Sequence, residues 1–210
     1  MLGYYNPSVI LTYMSLVSAV LGMGYLFSGA ENGLFASIIC MMVSGVCDMF
    51  DGAVASRVDR SEEEKMFGIQ IDALCDVVAF GALPALMTIK LGGAGTFSKV
   101  AAGLILLSSV IRLGFFNVQE TMRDRDEKRK YYTGVPVTLI AILFPALLLL
   151  GRLLPLATGT WAALCLCVLA VLEVSPLKLK KPYGKAKLGL LFGGVAIFAL
   201  LLLFGRGIGA

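Results

Sequence analysis

Apolar residues fall in blocks of about twenty, separated by short polar or charged stretches. Crossing the hydrocarbon layer takes ~20 apolar residues of helix, so this pattern predicts membrane-spanning helices. The blocks lie at about 9–28, 34–57, 67–90, 99–118, 135–154, 159–175 and 187–205. Lys or Arg, Gly and Pro mark most of the boundaries, and Pro155 and Gly159 divide the fifth block from the sixth. Two stretches look soluble, 58–66 and 119–133; both are charged and neither is long enough to be a domain. The expectation is an all-α, polytopic membrane helical bundle. It has about seven spans, within a range of six to eight, and forms one domain over residues 1–210. The first apolar run is too long for a signal-peptide core, which predicts a retained first span. No internal repeat is visible.

Charge gives the bundle a direction. With seven spans, the N-terminus and the loops 57–66, 119–133 and 176–187 share one side. Of the 18 Lys and Arg, 13 fall on that side and four (Lys90, Lys99, Arg152, Arg206) on the other, with Arg112 inside the fourth span. The positive-inside rule makes the first side cytoplasmic, including the N-terminus, and places the C-terminus across the membrane.

Composition narrows the chemistry. Hydrophobic residues make up 58% of the chain and charged residues 15%, against 45–50% apolar in typical soluble domains. The net charge of +4 is modest, and no nucleic-acid partner is expected. There is no histidine, which excludes a Ser-His-Asp triad, a Cys-His pair and a His-ligated zinc. Carboxylates must carry any acid–base work. The five cysteines all sit in apolar segments and read as small packing residues.

Four aspartates stand out against this background: Asp48 and Asp51 in the second block, Asp72 and Asp76 in the third. An ionisable group at membrane depth is expensive and is read first as functional. Spacings of three and four residues put each pair on one helix face. Two such helices facing each other gather four carboxylates, which repel unless cations neutralise them. Hard divalent ions with oxygen ligands fit that need. Two metal ions can clamp both oxygens of an in-line phosphoryl displacement, with three carboxylates bridging Mg²⁺ or Mn²⁺ and the fourth accepting a proton. Asp76 lies deepest on its helix and is the candidate base. Asp72 is only ~6 Å along the helix from Gly68, at 1.5 Å per residue, so the pocket lies near the cytoplasmic face. Gly52, Ala55 and Gly68 are small; they either let backbone approach a nucleotide or pack helices together.

The run Asp48-x-x-Asp51-Gly52-x-x-Ala55, followed by Gly68-x-x-x-Asp72-x-x-x-Asp76, resembles the signature of the CDP-alcohol phosphatidyltransferase family. Ser56 stands where that signature has Arg, with Arg57 one place later, and the gap to Gly68 is longer than usual. The resemblance implies metal binding by Asp48, Asp51, Asp72 and Asp76, with Asp76 also the general base. It implies nucleotide contacts by Gly52, Ala55, Gly68 and Arg57, a bilayer setting and a homodimer. CDP-diacylglycerol is the implied donor and CMP the released product.

Three further stretches, Ile111-Arg112-Leu113-Gly114-Phe115-Phe116-Asn117, Tyr131-Tyr132-Thr133-Gly134-Val135-Pro136 and Val174-Ser175-Pro176, resemble the branch of the family that uses serine as acceptor. They imply substrate contacts at Arg112, Asn117, Thr133 and Gly134. Position 115 is Phe where that branch has a second arginine. Arg112 suits the serine carboxylate as a bidentate partner; equally, it suits a counter-ion role for the aspartates. Glycerol phosphate, inositol and inositol phosphate are the alternative acceptors. A cation transporter that uses the aspartates as its ion site is the rival from another class. The charged run within 119–133 reads as a solvated or headgroup-facing loop, or else as a grip on the substrate diphosphate. Lys178, Lys180, Lys181, Lys185 and Lys187 read as a basic cluster at the headgroup level.

Overall fold

The computed structural model describes residues 3–93, 95–122, 131–180 and 185–205. Among the described residues, eight α-helices carry the fold: α1 Pro7–Phe27, α2 Gly33–Ala55, α3 Glu62–Asp76, α4 Leu83–Gly92, α5 Thr96–Thr121, α6 Ile140–Gly151, α7 Thr158–Val174 and α8 Lys185–Phe204. A π-helical segment, Val77–Ala82, joins α3 to α4 without a break. The stretch from Glu62 to Gly92 is therefore one long span, and it starts five residues before the expected 67. Among the described residues, four helices are long and apolar enough to cross a membrane; Val137–Gly151, Thr158–Val174 and Gly189–Phe204 are shorter and apolar. The protein is a helical, integral membrane bundle, and α6 is shorter than the block 135–154 suggests.

Local chemistry explains these elements. Ser61 caps α3: its hydroxyl accepts from the Glu64 backbone N–H at 3.2 Å, and the Glu64 carboxylate accepts from the Ser61 N–H at 2.8 Å. This is a capping box. It places Glu62, Glu63 and Glu64 in the first turn, where the helix dipole favours negative charge. The N-terminal stretch is pinned to the same turn. Tyr4 donates to Glu63 at 2.7 Å and Asn6 to Glu64 at 3.0 Å. The Glu63 carboxylate raises the Tyr4 phenol above its ordinary range. The π-helical turn precedes Pro84, which lacks an N–H and would crowd the carbonyl four residues back in a regular helix. Widening the turn relieves that conflict, and such bulges often accompany functional sites.

The core runs through the centre of the bundle, from Ile38 and Met41 on α2 through Phe80 and Leu83 to Ile105 on α5, Phe144 on α6 and Leu166 on α7. One feature was not expected from the helical pattern. Tyr131–Thr133 and Lys178–Lys180 form a two-stranded antiparallel ribbon, with Tyr132 opposite Leu179. Part of the expected basic cluster is thus paired backbone. The charged run 123–130 and Lys181 lie outside the described residues.

Candidate active site

Asp48 and Asp51 project from the last two turns of α2, and Asp72 and Asp76 from the last turns of α3. The structure brings the two pairs together. Carboxylate oxygens of Asp48, Asp72 and Asp76 lie within 4.8 Å of one another. Asp51 and Asp72 wall one cavity together, and Thr12 on α1 donates to Asp51 at 3.3 Å. Asp76 is the most enclosed of the four, at 5% exposure. Hard oxygen donors gathered this closely fit a divalent cation, because each would otherwise raise the energy of its neighbours.

Two adjoining cavities open on this cluster. One, of about 330 Å³, is walled by Asp48, Asp76, Arg112, Asn117 and Thr138. The other, of about 350 Å³, is walled by Asp51, Gly52, Ala55, Arg60, Lys65 and Gly68. Ile69, Asp72 and Glu120 border both. The acidic cluster thus stands between a compartment holding one arginine and a compartment with small residues and two cations.

The two glycines of the second compartment are not packed against other helices. A Cβ added at Gly52 would meet no atom within 4 Å, and one at Gly68 would touch only the Arg60 guanidinium at 3.4 Å. Helix packing does not account for either residue; open volume over the backbone does. Arg57 is exposed just past the end of α2 and borders neither cavity. Arg60 lines the second cavity instead. Its side chain is partly buried, and its Nε is enclosed without a hydrogen-bond partner, which is the condition of a group that a ligand satisfies. Reading by motif offset alone favoured Arg57. The extra residues between Ala55 and Gly68 let the chain turn back, and that turn carries Arg60 inward.

Arg112 is buried, at 8% exposure, and lines the first cavity. Asn117 lines it one and a half turns further along α5, and donates to Gln70 at 3.4 Å. Thr133 and Gly134 border neither cavity. Gly134 has φ +74°, and a Cβ there would collide with the Glu173 carbonyl. It is a turn glycine that seats the segment before α6 on the end of α7. That turn leads directly into Pro136, Val137 and Thr138, which do wall the first cavity.

An apolar groove of about 340 Å³ runs between α2, α6 and α8, past Val46, Cys47, Ile142, Leu191 and Val195. Thr138 borders both this groove and the first cavity, so an apolar surface leads up to the carboxylates. Glu173, a lone acid in the apolar run of α7, went unmarked in the sequence reading. The signal available was its charge within that run.

Residues 5–175 match the family model described as CDP-alcohol phosphatidyltransferase. Among individual relatives, the CDP-diacylglycerol–serine O-phosphatidyltransferase of Helicobacter pylori is 28% identical over 205 residues, 95% of this chain and 81% of that protein. The archaetidylserine synthase of Methanothermobacter thermautotrophicus is 27% identical over 172 residues, 81% of this chain and 69% of that protein. The CDP-diacylglycerol–serine O-phosphatidyltransferase of Saccharomyces cerevisiae is 34% identical over 97 residues, 44% of this chain and 34% of that protein.

Proposed function

The chain belongs to the CDP-alcohol phosphatidyltransferase family, and we propose that it transfers the phosphatidyl group of CDP-diacylglycerol to the hydroxyl of L-serine, giving phosphatidylserine and CMP. The observation that carries this reading is the shared cavity of Asp76 and Arg112. It sets a proton acceptor and a carboxylate-binding cation side by side. Serine presents a hydroxyl and a carboxylate on one small molecule, and the names of the three relatives support the same acceptor.

In this reading the compartment of Gly52, Ala55, Gly68 and Arg60 receives the cytidine diphosphate, since open backbone and cations suit a nucleotide's phosphates. Asp48, Asp51, Asp72 and Asp76 would hold Mg²⁺ or Mn²⁺, two ions in all. When bound, these ions neutralise phosphate charge and stabilise the departing oxygen. The chain's own residues do the rest. Arg112 holds the serine carboxylate and orients the hydroxyl, while Asp76 takes the hydroxyl proton as the serine oxygen bonds to the phosphatidyl phosphorus. The diphosphate bond breaks on the opposite side and CMP leaves. The groove between α2, α6 and α8 receives the lipid's apolar portion. We read residues 1–210 as one domain, embedded in a bilayer, homodimeric, with the site near the cytoplasmic face.

Purified protein tests this with CDP-diacylglycerol and a panel of serine, glycerol phosphate, inositol and inositol phosphate. Release of CMP with serine, lost on chelation and restored by Mg²⁺ or Mn²⁺, is the expected result. Release with another alcohol alone would overturn the acceptor; full turnover after thorough chelation would overturn the metal site. A phosphate-bearing acceptor would want further positive charge, and Arg112 is the only cation among the described residues lining the first cavity.

A further inference from the structure

A diacylglycerol donor has a middle as well as two ends. Between its phosphates and its hydrocarbon lie two ester groups, whose carbonyl oxygens accept hydrogen bonds. Taking them out of water without a partner costs binding energy. If the phosphates lie at the aspartates and the hydrocarbon in the groove between α2, α6 and α8, the esters fall where the groove meets the acidic cavity. Two elements frame that junction. Gly45 on α2 lies against Ala141 on α6, where an added Cβ would stand 2.6 Å from the Ala141 Cβ. Three residues beyond Gly45 is Asp48. Three residues before Ala141 is Thr138, in the 3₁₀ turn Val137–Leu139 that leads into α6. α2 ends at the site and α6 starts from it, so Asp48 and Thr138 each stand about one turn beyond that contact, on its cavity side. The division between compartments passes through both elements. Cys47 and Met49 face the groove and Asp48 the acidic cavity, while Thr138 borders the two.

Thr138 is chemically out of place in the groove. Among the described residues lining it, Thr138 alone carries oxygen or nitrogen on its side chain; the others are hydrocarbon, thioether, thiol or glycine. Among the described residues, none forms a hydrogen bond with the Thr138 hydroxyl. The backbone around it is fixed. The Gly134 N–H donates to the Leu177 carbonyl at 2.8 Å, the Val135 N–H to the Leu172 carbonyl at 3.1 Å, and the Leu139 N–H to the Pro136 carbonyl at 3.1 Å. The neighbouring Val137 is buried in the core. A hydroxyl set on so firm a turn loses little freedom when a ligand takes its proton as a hydrogen bond.

We propose that the Thr138 hydroxyl donates to an ester carbonyl of the donor's glycerol, and that this bond makes the protein prefer ester-linked donors to ether-linked ones. The inference rests on CDP-diacylglycerol being the donor and not on which alcohol accepts. A dialkyl donor fills the groove with the same hydrocarbon, but its ether oxygen is a poorer acceptor and has no carbonyl to reach towards the turn. It leaves the hydroxyl unmatched, and a donor without its acceptor forfeits the hydrogen bond.

The test is binding of CDP-diacylglycerol and of CDP-dialkylglycerol with matched hydrocarbon, measured on the full chain in one detergent with Mn²⁺ and no acceptor. The unaltered protein should bind the diacyl donor roughly fivefold more tightly. Thr138→Val, which swaps the hydroxyl for a methyl, should weaken the diacyl donor by roughly fivefold and leave the dialkyl donor within about twofold. Thr138→Ser keeps the hydroxyl and should keep the preference. Equal affinities in the unaltered protein, or a preference that survives Thr138→Val, would overturn the proposal. Equal weakening of both donors by Thr138→Val would overturn it too, since that marks a packing role. If the unaltered protein binds neither donor, the donor reading fails and this proposal falls with it. If the donors bind as expected but serine never yields CMP, the acceptor reading fails alone and the role of Thr138 stands.

Discussion

Gly45 and Gly52 lie two turns apart on the same side of α2, and one added methyl at each gives opposite predictions. At Gly45 the new Cβ would stand 2.6 Å from the Cβ of Ala141 on α6, where carbon atoms ordinarily meet at 3.5–4.0 Å. Relieving an overlap of about 1 Å in a packed contact costs ~1–3 kcal/mol, more than the ~1 kcal/mol that alanine adds to a helix interior. Gly45→Ala should melt lower. At Gly52 the methyl meets nothing within 4 Å, so only the helix-propensity gain of ~0.5–1 kcal/mol remains. At ~2–4 °C per kcal/mol for a chain of this size, Gly52→Ala should melt ~1–4 °C higher. If that open volume holds the nucleotide, the same methyl intrudes on the ligand, and a clash of ~1–3 kcal/mol raises the KM for CDP-diacylglycerol roughly 5- to 150-fold. The assays are thermal unfolding in one detergent and CMP release against donor concentration. A Gly52→Ala enzyme that is more stable and fully active would show that the diphosphate binds elsewhere. One that is less stable would show that the compartment wall is packed.

Asp76→Asn and Asp48→Asn should both reduce turnover, by ~10²–10⁴-fold for the base. Asp76→Asn should still bind CDP-diacylglycerol in a Mn²⁺-dependent way, whereas Asp48→Asn should lose much of that binding; identical donor affinities in the two would refute the division of roles. Arg60→Ala should raise the donor KM and Arg57→Ala should leave it unchanged, and the reverse pattern would return the motif arginine's work to Arg57. For orientation, cysteines placed at Asp59 and Leu153 in a background lacking the native five should label from opposite membrane faces. Labelling from one face would mean that the spans between them are miscounted.

The four aspartates were legible because charge within an apolar helix is conspicuous and a three- or four-residue spacing fixes a face. The helices were legible for a related reason, since apolar length is the dominant requirement for a span. Glu173 meets Ser108 and Ser109 across 65 and 64 residues of chain, through the packing of α5 on α7, and periodicity carries no information about which faces meet. Arg60 was hidden because the turn between α2 and α3 is set by the Ser61 capping box and the preceding loop, not by offset from Asp51. The ribbon joining 131–133 to 178–180 is three residues per strand, too short for an alternating pattern to register. Gly134 was marked as a substrate contact; it borders neither cavity, and its φ of +74° reflects a turn docked on α7.

Thr138 borders both the apolar groove and the acidic cavity, and this sets the units in which the enzyme's substrates are counted. A donor that enters sideways from the lipid phase is present at a concentration per area of membrane, while serine and CMP are counted per volume of water. Diluting the donor with inert detergent at constant total donor should therefore slow the enzyme, while diluting the whole suspension with buffer at saturating serine should leave the rate per molecule nearly constant. For the proposed reaction in a cell, the same geometry makes flux follow the donor's share of the bilayer, so synthesis of other lipids from the same pool slows it by competition for donor.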